Sequence, residues 1–196
     1  MLDNGFVDVP PGKIAAVVTS LQMFERPAPR PEYPRDDWRL RRIERPTAAW
    51  YRTIFRRIGE PYLWFSRLRL AEPALQQLLD DDRIEIYTLD EDGEERGLLE
   101  LDFRESPDCE LAFLGLDDTL VGGGAGRWLM NRALDIAWSR PIRRFWVHTC
   151  TLDHPKAIPF YERSGFVAYR RQIEIDNDPR LDGTLAPHAA LHAPII

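Results

Sequence analysis

Apolar positions fall in short blocks whose period switches repeatedly between two and about 3.6, the mark of a mixed chain. Lys13–Met23 is β-branched and apolar and predicts a strand. Glu25–Pro34 follows, with four prolines that lack the amide donors a ladder needs; it reads as an extended linker. Trp38–Ile43 sets Trp38, Leu40 and, less cleanly, Ile43 against arginines, as a half-exposed strand does. Thr47 can cap a helix to about Ile58, with Gly59 as its stop. Trp50, Ile54 and Ile58 recur at four-residue spacing there, with Tyr51 and Phe55 beside them. Pro61–Leu70 reads as an aromatic-rich loop or turn, and Glu72–Asp82 as a second helix.

Arg83–Leu89 and Gly97–Phe103 predict strands joined by an acidic turn around Asp92-Gly93. A turn at Ser106–Asp108 leads into a third strand, Cys109–Leu116. Gly122–Gly126 opens a helix to about Ser139, whose apolar positions cover more than one stripe and predict packing on two sides. Arg144–Thr149, Lys156–Arg163 and Val167–Ile175 read as strand, short helix and last strand, with a partly loose tail beyond. The expectation is an α/β (α+β) chain with one sheet, not a regular βαβ array. It divides into an N-terminal strand and linker at 1–37, a main unit at 38–176 and a tail at 177–196.

The net charge of −6 argues against a nucleic-acid partner, which needs clustered positive charge. Arginines between Arg35 and Arg57 could attract an anionic ligand, although a solvated basic face is the simpler reading. Cys109 and Cys150 form no CxxC pair, so no metal is expected and reduced thiols are. Neither a signal-peptide pattern nor an apolar run near the ~20 residues of a membrane span occurs, so a cytoplasmic protein without membrane contact is expected.

The chemistry concentrates in Cys109–Met130. There a strand ends and Gly122-Gly123-Gly124-Ala125-Gly126 leads directly into a helix. Glycines let successive amides face one concavity, and the helix N-terminus adds partial positive charge, which suits a pyrophosphate. The P-loop is excluded because Arg127-Trp128 follows Gly126, and the dinucleotide fingerprint because its third glycine falls on Arg127 or Leu129.

This stretch resembles the phosphate loop of the GNAT acetyltransferases: Gln or Arg, two residues, Gly, one residue, then Gly or Ala. Gly124 and Gly126 fill its glycine positions, and Leu129-Met130 its apolar pair. His154–Phe166 resembles the family's second element through Ala157, Phe160, Tyr161, Gly165 and Phe166. The likeness runs over roughly Arg83–Ile175, with Trp38–Asp82 agreeing only in type. Val121 stands where the family has Gln or Arg, and His154 where it has Asn.

The resemblance implies a mixed, mostly antiparallel sheet flanked by helices. It splays between the family's fourth and fifth strands, here Cys109–Leu116 and Arg144–Thr149. It implies acetyl-CoA as cosubstrate, an acetyl transfer to a primary amine of a small molecule or peptide in a ternary complex, and a homodimer as the candidate assembly. A non-catalytic acyl-CoA-binding module is the alternative, favoured by the changes at Val121 and His154. Cofactor contacts would come from Leu114, Leu116, Val121, Gly122, Gly123, Gly124, Ala125, Gly126, Arg127, His154, Ala157 and Tyr161.

Tyr161 holds the position from which family members often protonate the leaving thiolate. A phenol with pKa ~10 carries its proton at neutral pH. Glu110 is the first choice of base. It lies eleven residues before Val121, the interval of the glutamate in the histone-acetylating branch, and among apolar neighbours its pKa is expected to rise. Glu100 and His148 are rivals, as is a water relay. Tyr62, Trp64 and Phe65 could line an acceptor pocket, with Arg67 or Arg69 pairing a substrate carboxylate, although core aromatics with surface arginines are the simpler reading.

Overall fold

The computed structural model describes residues 4–32 and 35–196; the parts of the expected N-terminal segment at 1–3 and 33–34 lie outside the described residues. Its strands are β1 (Lys13–Met23), β2 (Trp38–Arg42), β3 (Ile84–Glu91), β4 (Glu94–Asp102), β5 (Asp108–Leu116), β6 (Arg144–Cys150) and β7 (Val167–Asn177). The helices are α1 (Ala48–Gly59), α2 (Glu72–Leu79), α3 (Ala125–Ala137) and α4 (Ala157–Arg163). One sheet holds all seven strands in the order β2-β3-β4-β5-β6-β1-β7. It is the mixed, mostly antiparallel sheet expected; among the described residues β5 and β6 are the one parallel pair.

Local signals explain most boundaries. The Thr47 side chain accepts from Trp50 N at the start of α1, satisfying an amide the helix leaves orphaned. Asp92 and Gly93 both adopt positive φ between β3 and β4, the two-residue turn whose twist matches antiparallel strands. The second helix stops at Leu79, short of Asp82, where Asp81 instead caps the backbone and guanidinium of Arg83.

Apolar side chains form a core on each face of the sheet. Leu99, Leu101, Leu111, Phe145 and Val147 meet α3 and α4 on one face, and Ile86 and Leu98 meet α1 and α2 on the other. Each such residue contributes roughly 1.5–3 kcal/mol by leaving water.

Lys13–Met23, set apart at 1–37 by the sequence reading, lies inside this sheet between β6 and β7. The proline-rich segment after it runs along α3. Asn131 clasps the backbone of Arg30, its Nδ2 donating to Arg30 O (2.8 Å) and its Oδ1 accepting from Arg30 N (3.3 Å). Arg132 pairs with Glu32 at 2.7 Å. The strap is held to α3 through the polar residues Arg127, Asn131, Arg132 and Asp135.

The tail is folded rather than loose. Arg180 is buried, pairs with Asp178 and donates to the carbonyls of Ala189 and Ala193. These bonds gather Leu185, Ala189 and Ala190 against Leu63. A polar and alanine-rich composition suggested disorder; one buried ion pair with its carbonyl partners supplies the order instead.

Candidate active site

The expected splay is present. Only Asp108, Cys109 and Glu110 of β5 pair with β6, opposite Arg144, Phe145 and Trp146. Both strands then continue unpaired with each other, leaving one edge of Phe113–Leu116 without a strand partner. A β-bulge at Ala112 intervenes: Leu101 opposes Leu111 and Glu100 opposes Phe113. The extra residue shifts the alternation, so Leu114 and Leu116 pack on the α3 side and Phe113 on the α1 side. Gly115 then lies beneath α1 and Trp64. A Cβ there would fall 2.5 Å from Ile58 Cγ2 and 2.8 Å from Trp64 Cη2, so the bare backbone lets the indole lie on the sheet.

Past β5, Asp117 caps a short 3-10 turn that ends at the exposed Val121. Gly122 and Gly124 adopt φ of 91° and 94°, which L side chains rarely tolerate. No side chain caps α3. Among the described residues the amides of Gly122, Gly124, Ala125, Gly126 and Arg127 find no acceptor, and the first helical bond is Trp128 N to Gly124 O (3.1 Å). Gly123 N makes only a long bond to Leu120 O (3.4 Å). The loop is therefore open and rich in unfilled donors at a helix N-terminus, a fit for a diphosphate.

Gly126 joins this loop to the other elements. A Cβ there would lie 3.6 Å from the Phe160 ring and 3.8 Å from Leu116, so β5, α3 and α4 converge on it. Ala157 packs against the same core, and Tyr161 is buried beside Phe160 and Phe166. The Tyr161 hydroxyl has no hydrogen-bond partner among the described residues. Burial, then the charge of Asp153, pushes its pKa above that of a free phenol. The His154 Nδ1 accepts from Lys156 N (3.1 Å), and its ring lies 6.3 Å from that of Tyr62. Arg127 donates to Pro31 O at 2.6 Å.

Glu110 and His148 meet where the strands part. His148 Nδ1 lies 3.2 Å from Glu110 Oε1, with side chains 51% and 23% exposed. Alternation places both on the α1–α2 face, since Phe145, Val147, Cys109 and Leu111 point into the α3 core. The hydrogen bond to Glu110 raises the His148 pKa above its ordinary value; burial opposes this, and Asp153 and Glu174 add to the rise. The sequence placed Glu110 among apolar neighbours. Its neighbours in the chain are apolar, but its neighbour across the splay is an imidazole.

Glu100 is not available as a base. Arg67 Nη2 donates to its Oε1 at 2.6 Å and the Tyr51 hydroxyl donates to its Oε2, all beneath α1. Arg67 and Arg69 are engaged within the chain: Arg67 pairs with Glu100, and Arg69 with Asp176 and Asp182. Tyr62 and Trp64 lie side by side, their ring centroids 6.4 Å apart, with the indole over Gly115 of β5.

Sequence reasoning missed Asp153 and Trp146. Asp153 accepts from Trp64 Nε1 (3.0 Å), Thr149 Oγ1 (2.7 Å) and Cys150 N (2.9 Å), tying the indole to the end of β6. Trp146 stacks beside His148 at 6.1 Å. An Asp three residues after a strand end is a turn signal, and nothing in the chain indicated its indole partner.

The model of the acetyltransferase (GNAT) family matches residues 20–166. No curated protein matches. Among solved structures, the chain is similar to a GCN5-related N-acetyltransferase from Sphaerobacter thermophilus, at 14% identity and TM-score 0.59. That match covers 86% of this chain but 52% of the other, so the chain spans about half the length of that protein. A spermidine N-acetyltransferase chimera from Vibrio cholerae is similar at 22% identity and TM-score 0.55, over 69% of this chain and 83% of that one. An aminoglycoside acetyltransferase from an uncultured soil sample, in complex with sisomicin, is similar at 12% and 0.54, over 66% and 88%. At these identities the likeness is one of fold.

Proposed function

Because the chain belongs to the acetyltransferase (GNAT) family, we propose that it is an acetyl-CoA-dependent N-acetyltransferase acting on a primary amine. The observation that carries this reading is the row of unfilled amides from Gly122 to Arg127, set beside the splay of β5 from β6. Amides of Gly122, Gly124, Ala125, Gly126 and Arg127 would hold the diphosphate. The free edge of β5 at Leu114 and Leu116 would pair with the pantetheine arm, directing the thioester toward the gap. Acetyl-CoA supplies an activated acyl carbon. The protein's own part is to orient it, exclude water and move two protons.

His148 is the proton acceptor in this reading, and Glu110 its positioning partner. With Nδ1–H turned to Glu110, Nε2 carries the lone pair that takes a proton from the incoming amine. Glu110 also stabilises the imidazolium that results. Tyr161 keeps its proton at neutral pH, because burial disfavours the phenolate, and can give it to the departing thiolate. Trp64, Tyr62 and Trp146 would supply the aromatic surface beside which the amine lies. The similar structures named for spermidine and sisomicin bear on amines of that small-molecule kind, which we favour over a peptide.

Calorimetric titration with acetyl-CoA, followed by a thiol-release assay over polyamines, aminoglycosides and peptide amines, tests the proposal. Micromolar binding with amine-dependent thiol release is expected. Binding without release from any amine would point to an acyl-CoA-holding module, and no binding would remove the cofactor reading.

A further inference from the structure

The two edges of the sheet are finished differently. β2 is five residues long, its Trp38 is buried, and Arg41 is tied down by Asp90 and Glu95. β7 is eleven residues long and pairs only with β1, which leaves its outer backbone edge without a strand. Ten of those eleven residues are exposed, so its faces are largely bare as well. A long bare edge that carries apolar side chains is a template for another strand.

Register with β1 sorts these side chains. Ile173 and Ile175 stand opposite Val17 and Ala15, on the face that Leu21 shares with α3. Ile173 is 54% exposed and Ile175 50%, so no helix covers that patch. Arg170, Gln172 and Glu174 lie on the other face, opposite Ser20, Val18 and Ala16. Asp176, farther along the same strand, is held by Arg69. Arg170, Arg171 and Glu174 have no ionic partner among the described residues.

We propose that β7 is a dimer interface: a second copy of the chain lays its own β7 antiparallel to this one, about a two-fold axis through Gln172. In that register Arg170 stands opposite the partner subunit's Glu174, and Glu174 opposite the partner subunit's Arg170. The axis is perpendicular to the sheet, so like faces meet and the ion pair forms twice. On the apolar face Ile173 reaches the partner subunit's Ile173 across the axis, at the diagonal spacing of antiparallel strands. Charge order singles out a second copy as the occupant. Opposite charges placed symmetrically about one residue make the strand complementary to its own reverse, which an isologous interface requires. The interface is independent of the coenzyme A reading.

Sedimentation velocity of the full chain, from about 1 to about 100 μM, tests this; a dimer should dominate at the upper end, as a micromolar dissociation constant requires. Arg170, Ile173 and Glu174 are exposed in the single chain, so replacing them leaves its core untouched. Ile173→Lys brings two ammonium groups together at the axis and should sediment as a monomer throughout. Arg170→Glu sets carboxylates opposite each other twice and should raise the dissociation constant by about tenfold or more. Arg170→Glu combined with Glu174→Arg restores opposite charges in reversed order and should return to within about threefold of the unmodified protein. A monomer at every concentration, or a dimer that withstands Ile173→Lys, overturns the interface. A dimer that Arg170→Glu leaves unchanged, or that the double variant fails to recover, overturns the axis through Gln172 and the proposal with it.

Discussion

Replacing Arg67 by Met isolates the energetics of the buried pair beneath α1. Glu100 has no exposed surface, and the Arg67 side chain is 16% exposed. Each Glu100 oxygen has one donor, Arg67 or Tyr51. Removing the guanidinium leaves a carboxylate in an apolar layer with only a phenol to satisfy it. Breaking one side of such a pair costs about 3–5 kcal/mol. The retained Tyr51 bond and the slight exposure of Arg67 favour the lower end, about 3 kcal/mol. At roughly 2–4 °C per kcal/mol for a chain of this size, Tm should fall by roughly 6–12 °C. Adding Glu100→Gln removes the orphaned charge while a carbonyl still accepts from Tyr51. The double variant should therefore return to within about 1.5 kcal/mol of the unmodified protein. Urea unfolding followed by tryptophan fluorescence gives both differences, and thiol release below the transition gives activity. Glu100 takes no part in the proposed chemistry, so the double variant should keep turnover within a few-fold. A cost below about 1 kcal/mol for Arg67→Met would show the carboxylate to be hydrated and would refute the reasoning.

Two further outcomes bear on the site. In Glu110→Gln the hydrogen-bonded carboxylate that raises the His148 pKa is gone, although Asp153 and Glu174 remain. The acidic limb of the pH–rate profile, which lies above the ordinary histidine value in the unmodified enzyme, should then move to lower pH. The same sign holds for stability. What the pair contributes is fully present below the unfolded histidine pKa and lost as pH rises through the folded one. An unmoved limb would remove His148 as the proton acceptor. Tyr161→Phe deletes a hydroxyl without a partner, so Tm should hardly change, whereas kcat should fall by about 10²–10⁴ with acetyl-CoA affinity kept. A parallel loss of affinity would make Tyr161 a binding residue instead.

Local physics made much of this molecule legible in its sequence. The Thr47 cap, the Asp92-Gly93 turn and the glycine run before α3 act over a few residues, where steric and hydrogen-bonding preferences are already decided. The two elements around Gly124 and Tyr161 were readable because backbone approach and helix placement demand particular residues at particular spacings. Contacts between residues distant in the chain were a different matter. The bulge at Ala112 depends on register with β4, and it alone decides that Phe113 and Gly115 face α1. Whether Glu100 or Glu110 is free depended on which partner crossed the sheet to meet it: Arg67 from the α1–α2 loop in one case, His148 across the splay in the other. The proline-rich segment announced only that it could not join a ladder. That it straps α3 followed from Asn131, a hundred and one residues away. Propensity is a property of neighbours in the chain. The ionic and packing partners that set a side chain's chemistry come from the folded arrangement, because burial and distance govern their strength.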